Sequence, residues 1–142
     1  MRMFRATLIL VGALLAAVGT PADAQTKWQV SLASDPQNYR SDAARHVYAT
    51  YADQIYRGML PPLVHAIVVV ETEVDGAGNV QNIRVVRSPS HAPDVTEAVL
   101  TMIKKASPFP APRQPGSMKF VEVWLIDHSG RFQLHTLTEG QL

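Results

Sequence analysis

The chain has 142 residues, no cysteine, 13 basic and 12 acidic side chains, and 46% apolar positions. That length suits one domain. A formal charge of +1, with 18% charged residues, excludes a polybasic nucleic-acid binder and an acidic disordered tail. Without cysteine there is no disulfide scaffold, thiolate metal site, cysteine nucleophile or lipidated N-terminal cysteine.

Residues 1–24 read as an export signal. Arg2 and Arg5 make a short basic start, and residues 6–19 form an uncharged, mostly apolar run of 14. Ala22 and Ala24 take the small positions of an A-x-A cleavage site before Gln25. A spanning helix needs about 20 apolar residues, so cleavage after Ala24 is expected over retention as an inner-membrane anchor. With no twin arginine, the general export route is the one implied. Losing Arg2, Arg5 and Asp23 leaves 11 basic and 11 acidic residues. An averaged charge of zero gives little attraction to nucleic acid or to an anionic membrane. The oxidising compartment implied by the signal adds no cross-links here, so packing alone must hold the fold.

Residues 25–40 are polar and mixed, with Trp28 and Tyr39 as docking aromatics, and read as a leader or linker before a domain at 41–142. A helix is predicted over 41–59, capped by Ser41 or Asp42, with Ala44, Tyr48, Tyr51, Ala52, Ile55 and Met59 on one face. Pro61 and Pro62 stop it. Residues 64–74 are a β-branched run, with Val64, Ala66, Val68, Val70, Thr72 and Val74 on one face. The Asp75-Gly76-Ala77-Gly78-Asn79 turn leads back along Val80–Arg87, making a hairpin. In that return strand Val80, Asn82, Arg84 and Val86 are expected on one face.

Ser88 to Pro93 break the pattern. A second helix follows to Ala106, with Asp94 and Glu97 as a capping box and Lys104-Lys105 complementing the helix dipole. Met118–Ile126 is a third strand, apolar on both faces except at Glu122. Asp127 to Gly130 turn it into a last strand over 131–137. The economical packing is an α+β two-layer domain, with two helices on one face of an antiparallel sheet.

The usual chemical constellations are missing from the sequence. Histidines 46, 65, 91, 128 and 135 show no helical pairing and no H-E-x-x-H, and read as scattered surface residues rather than ligands. Glu71 and Glu73 share a strand face and read as solvated carboxylates, not a glycosidase pair. The glycine turn joins two strands, whereas a phosphate loop opens a helix. Ser88 and Ser90 beside His91 lack a nucleophile elbow. The expectation is a protein that is not an enzyme and needs no cofactor or metal.

Several segments together carry a resemblance. They are Gly78-Asn79-Val80-Gln81-Asn82-Ile83, Val85-Val86-Arg87-Ser88, the helix at 95–106, and Lys104-Lys105-Ala106-Ser107-Pro108-Phe109-Pro110-Ala111-Pro112. With Tyr51-Ala52-Asp53-Gln54-Ile55, they resemble the C-terminal domain of TonB-type energy transducers, with TolA-like features. The resemblance covers about 90 residues, from Tyr48 to Leu137.

It implies two helices on a three- to four-stranded antiparallel sheet, a periplasmic location, and Gly78, Val80, Ser88, Pro108, Phe109 and Pro110 as structural motif residues. It also implies docking of an envelope protein or an outer-membrane receptor peptide by strand pairing. The edge carried over is Lys119, Phe120, Val121, Glu122, Val123, Trp124, Leu125 and Ile126, or Arg131, Gln133 and His135 on the last strand. Phe120 and Trp124 are expected on the face away from the helices, meeting a partner, the leader at Trp28, or a second copy. The family's anchor and long proline-rich spacer are replaced by a cleavable-looking signal and a 16-residue leader. Force transmission across the periplasm by this chain acting alone is therefore not expected; the expected function is periplasmic protein binding by edge-strand pairing, with a self-associating homodimeric envelope module without energy-transducing role as the alternative.

Overall fold

The computed structural model describes residues 30–142. The signal, its cleavage site and Trp28 lie outside the described residues. Two helices cover one face of a four-stranded antiparallel sheet, the predicted α+β two-layer architecture. Helix α1 is Pro36–Thr50 and α2 is Pro93–Ala106; the strands are β1 (Ala66–Val74), β2 (Val80–Arg87), β3 (Met118–Ile126) and β4 (Phe132–Leu134), in spatial order β2-β1-β3-β4. Among the described residues, no helix is long and apolar enough to cross a membrane.

Helix α1 starts earlier than predicted, because a better start signal lies upstream. The Asp35 carboxylate accepts from the Asn38 amide at 2.9 Å, and Pro36 supplies a preset φ where no N–H is needed. Ser41 and Asp42 are inside the helix, and Asp42 instead accepts from Ser31 Oγ at 2.6 Å. Ser31 is itself buried and its amide donates to the Ala111 carbonyl at 2.9 Å. Residues 30–40 are thus part of the fold rather than a linker.

The helix also ends earlier, at Thr50, followed by a 3-10 turn at Ala52–Gln54. Ile55 then bridges Phe132, and the Tyr56 amide donates to the Phe132 carbonyl at 2.9 Å. Ile55, expected to extend the helix, is drawn instead to the side of β4.

Strand β1 alternates as predicted, with Ala66, Val68, Val70, Thr72 and Val74 buried against the helices. Its return partner does not alternate strictly. The register jumps between Glu73 and Val74 and between Val69 and Val70, leaving Gln81 and Val86 as bulge residues. Val80, Ile83 and Val85 lie opposite Val74, Thr72 and Val70, on the helix side; Asn82, Arg84 and Arg87 lie opposite Glu73, Glu71 and Val69. The predicted grouping of Val80 with Asn82 and Arg84 is overturned by the bulge.

Helix α2 follows its predicted pattern, with Val99, Ile103 and Ala106 buried. Its start is different: Ala92 is the capping residue without a side-chain bond, and Pro93 occupies the first turn, so Asp94 and Glu97 form no capping box.

Candidate functional site

Strand β3 is the central feature. It pairs with β1 along its whole length, from Met118 opposite Val74 to Ile126 opposite Ala66. On its other side β4 covers only Trp124, Leu125 and Ile126. Among the described residues, 118–123 therefore have no strand beside them on that side.

The direction of the backbone groups follows from the ladder. The Phe132 carbonyl accepts from Tyr56, and the Leu134 amide donates to Tyr48 Oη at 3.1 Å, so both residues turn away from β3. Gln133 then faces Leu125, and alternation turns the N–H and C=O of Lys119, Val121 and Val123 to the same side as those of Leu125. Consistently, the Val123 amide donates to Glu122 Oε1 at 2.9 Å instead of to β1.

Glu122 explains why β4 is short. Its Oε1 also accepts from the Thr136 amide at 3.4 Å, where the chain coils into a 3-10 turn, His135–Leu137. The carboxylate stands between β3 and the chain leaving β4, taking an amide from each. A last strand running to 137 is thus excluded. Glu122 is 5% exposed, and its Oε2 has no hydrogen-bond partner among the described residues. An inward-pointing charged group at an edge is a known guard against unwanted strand pairing.

The side chains of β3 divide opposite to the expectation. Phe120 and Trp124 are 8% and 2% exposed and face the helices. Phe120 sits 5.5 Å from the Tyr39 ring and 5.7 Å from Phe109, and Trp124 sits 4.8 Å from Phe132. Burying these large rings contributes more than exposing them could, which fixes this face inward. The outer face instead shows Lys119, Val121, Val123 and Leu125, with Val121 38% exposed.

Beside them, Ile67 and Val69 of β1 extend the apolar area, and two cross-strand pairs close it off. Arg84 Nε lies 3.2 Å from Glu71 Oε1, and Lys119 Nζ lies 3.7 Å from Glu73 Oε2. Arg84 holds the Glu71 carboxyl below its ordinary range, through a hydrogen bond first and charge second. These carboxylates are paired with basic side chains across strands.

The alternative edge on the last strand is occupied. Gln133 is 1% exposed; its Nε2 donates to the carbonyls of Tyr56 and Gly58 at 2.8 and 2.6 Å, and its Oε1 accepts from the Glu139 amide at 3.1 Å. Arg131 Nη1 donates to the Asp53 carbonyl at 2.6 Å. His135 is exposed, but in the 3-10 turn. Residues 55–60 line that side of the sheet, ending where Leu60 bridges Gln141.

The motif residues form a brace. The Phe109 amide donates to the Gly78 carbonyl at 2.8 Å, Ser107 Oγ accepts from the Val80 amide at 3.0 Å, and the Pro110 carbonyl accepts from Tyr39 Oη at 2.7 Å. Pro108 follows a cis peptide bond, and Ser88 is exposed at the end of β2. Between α1, α2 and the sheet lies a cavity of about 10 Å³, lined by Ala43, Val47, Ile103 and Glu122 among others. It is water-sized and too small for a substrate.

Not all of the histidines are scattered. His46 Nε2 donates to the Ala106 carbonyl at 2.7 Å and its ring lies 5.0 Å from Phe109, tying α1 to the end of α2. His65, His91 and His128 gather at one end of the sheet, which no sequence spacing announces. Comparison with protein-family models, curated proteins and solved structures found no match.

Proposed function

We propose that this chain is an exported protein-binding module that captures an extended segment of an envelope partner by strand addition to β3. The observation that carries the reading is the interrupted edge: β4 stops at Leu134, and among the described residues no strand pairs with 118–123 on that side. A strand entering there meets the outward amides and carbonyls of Lys119 and Val121, each net hydrogen bond contributing about 0.5–1.5 kcal/mol. The exposed Val121 and the half-buried Val123 on the outer face supply apolar contacts for its alternate side chains. The resemblance to TonB-type C-terminal domains supports the same mode of capture, with an outer-membrane receptor peptide or another periplasmic envelope protein as partner.

Proline at position 121 tests it. Val121 turns its N–H outward, so Val121→Pro removes a docking donor without breaking the ladder to β1. The expected outcome is native unfolding behaviour with loss of partner cross-linking from a photoreactive residue at position 119. Equal cross-linking by the folded variant would refute the reading.

One observation favours a second reading. Ile67, Val69, Val121, Val123 and Leu125 form an apolar area that neither helix covers, which suits a homodimer through the open face. Sedimentation separates the two: a chain that stays monomeric as concentration rises removes the homodimer.

A further inference from the structure

We propose that the depression where β2 stops short of β1, walled by Arg87, Ser88, Ser90, His91 and His65, binds a small phosphate monoester. It is separate from the β3 edge and lies at the opposite border of the sheet.

The depression follows from strand lengths. Arg87, the last residue of β2, lies opposite Val69, whereas β1 begins at Ala66 and at that end pairs with β3 alone. Where a longer β2 would continue, the chain turns away through 88–92 into α2. A space of about 380 Å³ is left beside the start of β1. Small-molecule pockets run to about 300–1,000 Å³. His91 Nε2 donates to the His65 carbonyl at 2.7 Å, which pins the departing loop to β1 and holds the wall in place before a ligand arrives.

Charge selects the ligand's sign. On the outer face of the sheet Glu71 is taken by Arg84 and Glu73 by Lys119. Arg87 is left with no carboxylate partner among the described residues, and no acidic side chain lines the depression. The bulge at Val86 puts the cation there. Unbroken alternation from Val85, opposite Val70, would turn Arg87 to the helix side; the extra residue sets it opposite Val69 instead, on the same face as Ile67.

The supply of donors selects the ligand's chemistry. Among the described residues, the hydroxyls of Ser88 and Ser90 and the amides of Ser90 and His91 have no hydrogen-bond partner. Arg87 adds a fork of parallel N–H groups suited to a phosphate. Together they exceed what the two oxygens of a carboxylate can use and suit the three terminal oxygens of a phosphate monoester. Val64, Ile67 and Pro89 make the rest of the wall apolar. The organic part of an ester would cover that surface, whereas a bare ion would leave it wet.

The test titrates the mature chain, in phosphate-free buffer, with glycerol 3-phosphate, followed by calorimetry and amide resonances. Saturable binding is expected, with shifts at the amides of Ser90 and His91 and none at Val121. Arg87→Gln, at an exposed strand end, should weaken binding by about tenfold or more. Arg57→Gln removes an exposed cation outside the depression and should bind as the native chain does. Phosphatidylcholine vesicles containing phosphatidic acid, which ends in the same monoester, separate the two sources of this group. Co-sedimentation that depends on Arg87 assigns a lipid headgroup; binding of glycerol 3-phosphate without it assigns a soluble ester. The proposal is overturned if the native chain binds neither probe saturably, if folded Arg87→Gln binds as tightly as the native chain, or if Arg57→Gln weakens binding as much as Arg87→Gln does.

Discussion

The amide of Val123 donates to Oε1 of Glu122, the residue directly before it, at 2.9 Å. One of the three outward donors on the free edge of β3 is thus already occupied, and by a buried side chain. A strand arriving at this edge must either stop short of Val123 or displace the carboxylate. Glu122 sets the length of the open edge in both directions, since it also takes the Thr136 amide and ends the pairing with β4.

Replacing Glu122 with methionine keeps side-chain length and removes the acceptor. Val123 and Thr136 then regain free amides, and the inward charge that guards the edge is lost. Glu122→Met is expected to raise the weight-average mass in sedimentation above that of the native chain at equal concentration. An unchanged mass would show that the carboxylate does not guard the edge.

The hairpin turn predicts a contrast between two glycines. Gly78 has φ +89°, and a Cβ there would lie 1.9 Å from the Phe109 carbonyl oxygen; Gly130 has φ +84° with nothing within 4 Å. Alanine at 130 meets only the backbone cost, about 1–3 kcal/mol. Alanine at 78 meets that cost and must also push the turn off Phe109, which adds about 1–3 kcal/mol. Urea unfolding should therefore give a lower midpoint for Gly78→Ala than for Gly130→Ala. Equal midpoints would mean that the turn does not rely on its contact with Phe109.

Alkaline pH should unfold the protein through its tyrosines. Burial, with the Asp42 charge as a lesser cause, pushes the fully buried Tyr39 phenol far above its ordinary value of 10.0. Burial also raises Tyr48 and Tyr51. Above pH 10 the unfolded chain releases these protons while the folded chain keeps them, so stability is full below about pH 10 and falls as pH rises. Each retained proton contributes a slope of at most about 1.4 kcal/mol per pH unit. Tyr39→Phe loses the bond to the Pro110 carbonyl, about 0.5–1.5 kcal/mol at neutral pH, and flattens the alkaline slope by up to one proton. Stability measured between pH 9 and pH 11 checks both; an unchanged slope would show that Tyr39 is not titrating with unfolding.

What the amino-acid sequence determined by itself is local. Alternation in Ala66, Val68, Val70, Thr72 and Val74 assigns a buried face to β1, and three- and four-residue steps do the same for α2, because each pattern repeats with its own backbone period. Asp35-Pro36 was a readable helix start masked by the polar composition around it. Tertiary structure decided what depends on distant partners. Strand β3 offers two apolar faces, and only packing of Phe120 against Tyr39 and Phe109 selects which one is buried. The bulges at Gln81 and Val86 come from fitting β2 to β1, and the early end of β4 comes from a carboxylate on the neighbouring strand. Likewise His65, His91 and His128 become neighbours through strand register and loop closure, which carry no signature in the spacing of the residues themselves.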